Sequence, residues 1–211
     1  MRSLSLGLLL LLPLGGSTLL TAGCSSVPKI TPWEVTQGMD APESACVYEG
    51  MLFVSQVGAG GPTDKDGNGR ISLLTLQGVV VKTDWITGLN APKGLRTTGG
   101  TLWAADIDEI VEIDISAAKV VKKHKVDGAK FLNDVATGPD GAVYVSDMAL
   151  SRIYRVKDGK ISIFAEGEDL EYPNGLLVDG DSLVLGGWGK PEADFSTKVP
   201  GRLLKIDLQT K

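Results

Sequence analysis

From about residue 40 onward the chain alternates short runs of β-branched and aromatic residues with polar, Gly-rich turns. Glu109–Ile115 and Lys160–Phe164 switch between polar and apolar residues with the two-residue period of a half-buried strand. Phe131–Asp147 shows the larger unit. A segment led by Asn133-Asp134 runs into a Pro139-Asp-Gly141 turn, then into the apolar run Ala142–Ser146. Gly141 supplies the permissive backbone that such a turn needs. The same layout recurs around Glu43, Lys93 and Asn174, each of which follows a proline. The four lead residues lie 50, 40 and 41 positions apart. All-β repeats of about 40–50 residues have the period of β-propeller blades.

The pattern predicts strands at Ser44–Tyr48, Met51–Val57, Arg70–Leu76 and Val79–Thr83 in the first blade. The second is expected at Lys93–Thr97, Thr101–Asp106, Glu109–Ile115 and Lys119–Val126. The third comprises Asn133–Thr137, Ala142–Asp147, Arg152–Val156 and Lys160–Ala165. The fourth comprises Asn174–Val178, Ser182–Gly186 and, after a loop over Gly189–Gly201, Arg202–Leu208. No helix of three turns is expected among these elements. The fourth blade stops one strand short. Two arrangements account for that: part of a six-bladed propeller lacking about two blades, or a four-bladed ring closed by an N-terminal strand at Ile30–Thr36. Open rings leave unpaired edges, which favours the six-bladed arrangement.

Residues 1–23 have the layout of a secretory signal, with Arg2 followed by the apolar run Leu4–Leu14. Leu19–Cys24 is similar to a bacterial lipobox, with Thr21 where leucine is preferred, and predicts lipidation of Cys24. The alternative is an ordinary signal peptide cut nearby. Residues 24–36 then form the anchor, a tether and the candidate closing strand, and 37–211 form the blades. The expected location is the cell envelope, held to a bacterial membrane on the periplasmic side. Without Arg2 the 21 basic residues fall to 20 against 26 acidic ones, a formal charge of −6. That balance, with no basic stripe, excludes nucleic acid as an expected partner. With Cys24 acylated, Cys46 has no partner for an intrachain disulfide and is expected as a small buried residue.

In a propeller the first strand of each blade faces the central channel, so Glu43, Lys93, Asn133 and Asn174 are expected to meet there. One carboxylate and two amide oxygens make an oxygen-only donor set suited to calcium or another hard divalent cation. The competing reading is that these residues cap turns between blades. Asp64, Asp66 and Asn68, with Gly69, form a second candidate calcium loop in the first blade. Thr75 and Ser72 stand where closing acids belong, so a solvated hairpin loop is the competing reading. His124, the only histidine, falls on an outer strand, away from channel chemistry. Lys119–Lys125 reads as a solvated edge strand protected by lysines, with contact to anionic lipid as the alternative. Trp103, Tyr144 and Trp188 are expected in the core between blades.

The run Glu43–Tyr48 with Leu52-Phe-Val54, then Phe131–Asp134 with Pro139–Gly141, and Pro173–Leu176 together resemble the senescence marker protein, gluconolactonase and luciferin-regenerating family of six-bladed propellers. The resemblance spans most of residues 40–190. It implies a divalent metal held by Glu43, Asn133 and Asn174, a small-molecule substrate in the channel, and hydrolysis of a lactone or ester. The family's fourth ligand, an Asp that is also its general base, has no counterpart up to Lys211. Phe131 stands where sugar lactonases carry a substrate-binding Arg, which implies a more apolar substrate. Asp134 is expected either behind the metal site or as a turn cap. Lys93 is expected to point to solvent, since lysine is rarely buried unpaired. The opposing expectation is a non-catalytic propeller that presents its faces to a ligand or protein.

Overall fold

The computed structural model describes residues 38–210. Its strands are β1 (Pro42–Tyr48), β2 (Met51–Gln56), β3 (Gly69–Thr75), β4 (Val80–Leu89), β5 (Pro92–Thr98), β6 (Thr101–Asp106), β7 (Glu109–Asp114) and β8 (Lys119–Lys125). They continue with β9 (Leu132–Thr137), β10 (Val143–Asp147), β11 (Arg152–Lys157), β12 (Lys160–Glu166), β13 (Pro173–Asp179), β14 (Ser182–Gly187) and β15 (Leu203–Asp207). The one helical element among the described residues is a 3₁₀ turn at Glu168–Leu170.

Consecutive strands pair antiparallel into four sheets, β1–β4, β5–β8, β9–β12 and β13–β15. Each sheet is a meander that places its first strand against the first strand of the next, β1 by β5, β5 by β9 and β9 by β13. These are propeller blades, and the described sheets form an arc that does not close. The anticipated boundaries hold to within about two residues, except that β4 runs on to Leu89. Its pairing with β3 breaks register three times. Those breaks interrupt the alternation while still turning Trp85, Ile86 and Leu89 inward. The candidate closing strand Ile30–Thr36, the leader and Cys24 lie outside the described residues.

The core lies between blades, face against face. Cys46, Phe53 and Ile71 pack on Leu95, Leu102 and Val111 between the first two sheets. Trp103, Ile110 and Ala105 meet Val135, Val143 and Tyr154 between the second and third. Ala136, Tyr144 and Ile153 meet Leu176, Leu183 and Leu185 between the third and fourth. The second strands of the first three blades are therefore the most enclosed, and every residue of β10 is buried. Apolar area removed from water on both faces of a sheet supplies most of the drive for this stacking. Cys46, Trp103 and Tyr144 are buried as anticipated. Trp188 is not, with 42% of its surface exposed. It follows the last residue of β14, beyond the stacked part of the blade, and its indole donates to the Phe195 carbonyl at 2.9 Å.

Candidate functional site at the head of the inner strands

Each inner strand opens with a residue paired to the end of its second strand: Pro42 with Gln56, Pro92 with Asp106, Leu132 with Asp147, Pro173 with Gly187. Immediately after that pair the register shifts in all four blades. Glu43, Lys93, Asn133 and Asn174 all fall within these irregularities and have no ladder partner there. A bulge bends the strand and re-aims the side chains it carries. The equal positions found in sequence are thus equal in backbone structure.

Local side chains replace the lost ladder bonds. Ser55 Oγ accepts from Ser44 N at 3.0 Å, and Ser146 Oγ accepts from Asp134 N at 2.9 Å. Asp106 accepts from Asn90 N (2.9 Å) and Ala91 N (2.7 Å). Asp147 accepts from Lys130 N (2.8 Å), Phe131 N (3.1 Å) and Leu150 N (3.3 Å). Both carboxylates are fully buried and hold the segment that enters the next bulge. Burial raises the Asp147 carboxyl above its ordinary range, against the pull of these N–H donors. Asp106 and Asp147 are legible in the sequence as a repeated Asp at the end of the second strand.

The inner strands are then stitched to one another. Leu95 N donates to Ser44 Oγ at 3.3 Å, and Leu176 N donates to Asp134 Oδ2 at 2.7 Å. Asp134 Oδ1 also accepts from Val135 N at 2.8 Å. Burial lifts the Asp134 carboxyl above its usual range, while the two backbone donors and nearby Arg96 draw it down. Asp134 is neither a turn cap nor free: it acts as a staple between β9 and β13. Gly94 lets β9 approach β5: a Cβ there would stand 2.5 Å from Asp134 Cα and 2.8 Å from Asn133 O.

Lys93 does not point to solvent. It is 2% exposed, among the largest fully buried side chains of the described residues. Its Nζ donates to the Ala91 carbonyl at 2.9 Å and lies 4.7 Å from the centre of the Phe131 ring. No ion pair among the described residues includes it. Burial lowers its pKa to about 8, with the charges of Asp106 and Glu43 pulling upward. The expectation failed because the bulge turns Lys93 inward, where a carbonyl and an aromatic face substitute for part of its hydration. Glu43 keeps exposed surface, yet lost hydration raises its carboxyl. Lys93 opposes that rise and Asp134 reinforces it. Asn133 is buried and Asn174 half-buried. The Asn174 amide lies 3.4 Å from Met148 Sδ, and Ser146 Oγ donates to its backbone carbonyl at 3.0 Å.

An aromatic wall completes the site. Phe131 is buried, and its ring centre lies 5.6 Å from that of Phe195. Phe195 is carried by the long loop between β14 and β15, so the fourth blade reaches over to the third.

The three oxygen-bearing residues suit a divalent cation in kind: a carboxylate in Glu43 and amides in Asn133 and Asn174. Lys93 does not suit one, because its buried ammonium already acts on Glu43 and would repel a second positive charge. The set as a whole therefore does not fit a resident metal. Among the described residues no three acidic, histidine or cysteine side chains gather as a metal cluster. In the second candidate loop, Asp64 accepts from Gly61 N at 2.7 Å, and both oxygens of Asp66 are engaged by Asn68. Lys65 between them pairs with Asp108 of the second blade at 2.5 Å, and Lys125 joins the same carboxylate. His124 sits on β8 as anticipated, but is buried against Trp103 and 2.8 Å from Glu112.

No known family model matches the chain. Its fold does match solved structures. A chain of the nidogen/laminin complex superposes with a TM-score of 0.55 at 19% identity, over 72% of this chain and 57% of that one. This chain thus spans little more than half of that neighbour. Virginiamycin B lyase from Staphylococcus aureus, in a catalytically inactive form with quinupristin, gives 0.51 at 15% identity, over 84% and 73% of the two chains. The computationally designed Ika4 protein gives 0.52 at 10% identity, over 80% and 92%. At these identities the likeness shows the fold, and the chain is an all-β protein of β-propeller blades.

Proposed function

We propose that this is a ligand-binding propeller of the cell envelope, anchored through Cys24, that holds a small molecule at the head of its inner strands. The observation that carries the reading is the bulge repeated at the head of each inner strand. Four bulges aim Glu43, Lys93, Asn133 and Asn174 from four successive blades, beside the wall of Phe131 and Phe195. An ammonium and amide N–H groups suit a carboxylate or carbonyl oxygen, Glu43 suits a hydroxyl, and the aromatic rings suit an adjoining apolar part. The proposed ligand is therefore a small, partly apolar acid, ester or lactone.

A thermal-shift screen of aromatic and aliphatic carboxylates and lactones tests this. Hits are expected to raise the melting temperature equally in EDTA and in calcium, and to lose at least tenfold in affinity in Asn133→Ala and Phe131→Ala. Binding indifferent to both substitutions would sink the reading. A second reading, metal-dependent hydrolysis of a lactone or ester, draws on the three oxygen donors and on the resemblance of the motifs around them. Lactone turnover abolished by EDTA would favour it.

A further inference from the structure

We infer that Lys93 is the built-in cation of this site, supplying to Glu43 the positive charge that a bound divalent ion would otherwise supply, so that the site works without metal. The inference deepens the binding function proposed above and rests on it. Lys93 occupies the lead position of its blade, inside the same irregularity as the three oxygen-bearing residues. It is buried rather than solvated, and its ammonium is held by one carbonyl and one aromatic face. The charges of Asp106 and then of Glu43 act on it, both favouring the ammonium. Asp106 has its oxygens on two backbone donors outside the lead positions. Glu43 is the one carboxylate among the four lead residues, on the strand packed beside that of Lys93, and the ammonium in turn lowers it. A lysine kept out of water needs a nearby negative charge or good hydrogen bonds, and the ammonium holds the Glu43 carboxyl down against its partial loss of hydration. A divalent ion on Glu43 would add a like charge beside a cation that cannot move away into solvent.

The test is a calorimetric titration of calcium into the chelator-treated chain, alongside Lys93→Met and the double variant Lys93→Met with Glu43→Gln. Circular dichroism checks each fold. Wild type is expected to give no saturable heat. Lys93→Met is expected to gain one calcium site, at least tenfold tighter than any in wild type, and the double variant to lose it. Stoichiometric calcium binding by wild type that Glu43→Gln removes overturns the inference. So does a folded Lys93→Met that binds no more calcium than wild type. Should Lys93→Met fail to fold, wild-type melting decides. Identical curves in calcium and in EDTA support the inference, and a calcium-dependent rise lost in Glu43→Gln overturns it. Ligand hits from the screen play no part in either measurement, so failure of the binding function and failure of this inference are told apart.

Discussion

Lys93 carries a charge where the protein gives it one carbonyl and one ring face. The consequence is a pH dependence with a definite sign. Burial lowers its folded pKa to about 8 from 10.5. Between those values the unfolded chain holds the proton and the native chain does not, so native stability rises with pH across that window. Below about 8 both states are charged and the full handicap stands, roughly 3 kcal/mol at 1.36 kcal/mol per pH unit. Replacing a buried charge by an apolar residue of similar length removes that handicap. Lys93→Met is therefore expected to be more stable than wild type at pH 7, by about 1–3 kcal/mol once the lost hydrogen bond and ring contact are deducted. The gap should shrink steadily from pH 8 to pH 10. Urea denaturation of both chains at several pH values measures it, and a gap that stays constant across the window would contradict the buried ammonium.

At the scale of the element, each blade is a four-strand meander whose first strand begins with a fault. At the bulges of Glu43 and Asn133 the hydroxyls of Ser55 and Ser146 take over donors that the ladder loses, and buried carboxylates hold the segments that lead into the bulges of Lys93 and Asn133. Asp147 is the fullest case, with three backbone N–H groups on one carboxylate. Asp147→Ala leaves those donors unpaired, that of Phe131 in a buried place, and is expected to cost about 3 kcal/mol. Asp147→Asn keeps one acceptor oxygen and is expected to cost about half as much. Equilibrium denaturation of both variants gives the ratio, and equal losses would mean that volume rather than hydrogen bonding is at stake. The strands themselves were legible in sequence, because alternation and Gly-rich turns act locally. The lead positions were legible too, because they repeat. The bulges were not, since a register fault depends on the partner strand. For the same reason β4 outran its expected end at Thr83. The orientation of Lys93 was misread because a general preference for solvent was set against a tertiary constraint, and the constraint won. Trp188 departs in the opposite direction: its place beside a second strand suggested core, but it lies past the stacked end of β14.

At the scale of the whole molecule, each sheet contacts its neighbours in the arc, so stability is close to a sum of blade and interface contributions. Arg96 breaks that locality. From β5 its Nε donates to the Val135 carbonyl on β9 at 3.2 Å, and its Nη2 reaches the Leu176 carbonyl on β13 at 3.4 Å. One side chain thus ties the second, third and fourth blades. Leu176 closes the loop, since its own N–H bonds back to Asp134, which feels the Arg96 charge. Arg96→Met keeps the apolar stem and removes both charge-assisted bonds, and is expected to cost about 2–3 kcal/mol. The loss should also be uneven. Amides of β13–β15 are expected to exchange through a separate, lower-energy opening, while those of β5–β8 retain the protection set by packing against the first blade. Arg152→Met is the control, because the bonds it removes, to Glu166 and to the Tyr154 hydroxyl, stay within the third blade, and the partly exposed ion pair among them is worth about 0.5 kcal/mol. Hydrogen exchange on the three chains makes the comparison. If Arg96→Met lowers protection uniformly across all four blades, the arc unfolds as a single cooperative unit. Arg96 would then be one contact among many rather than the link between blades.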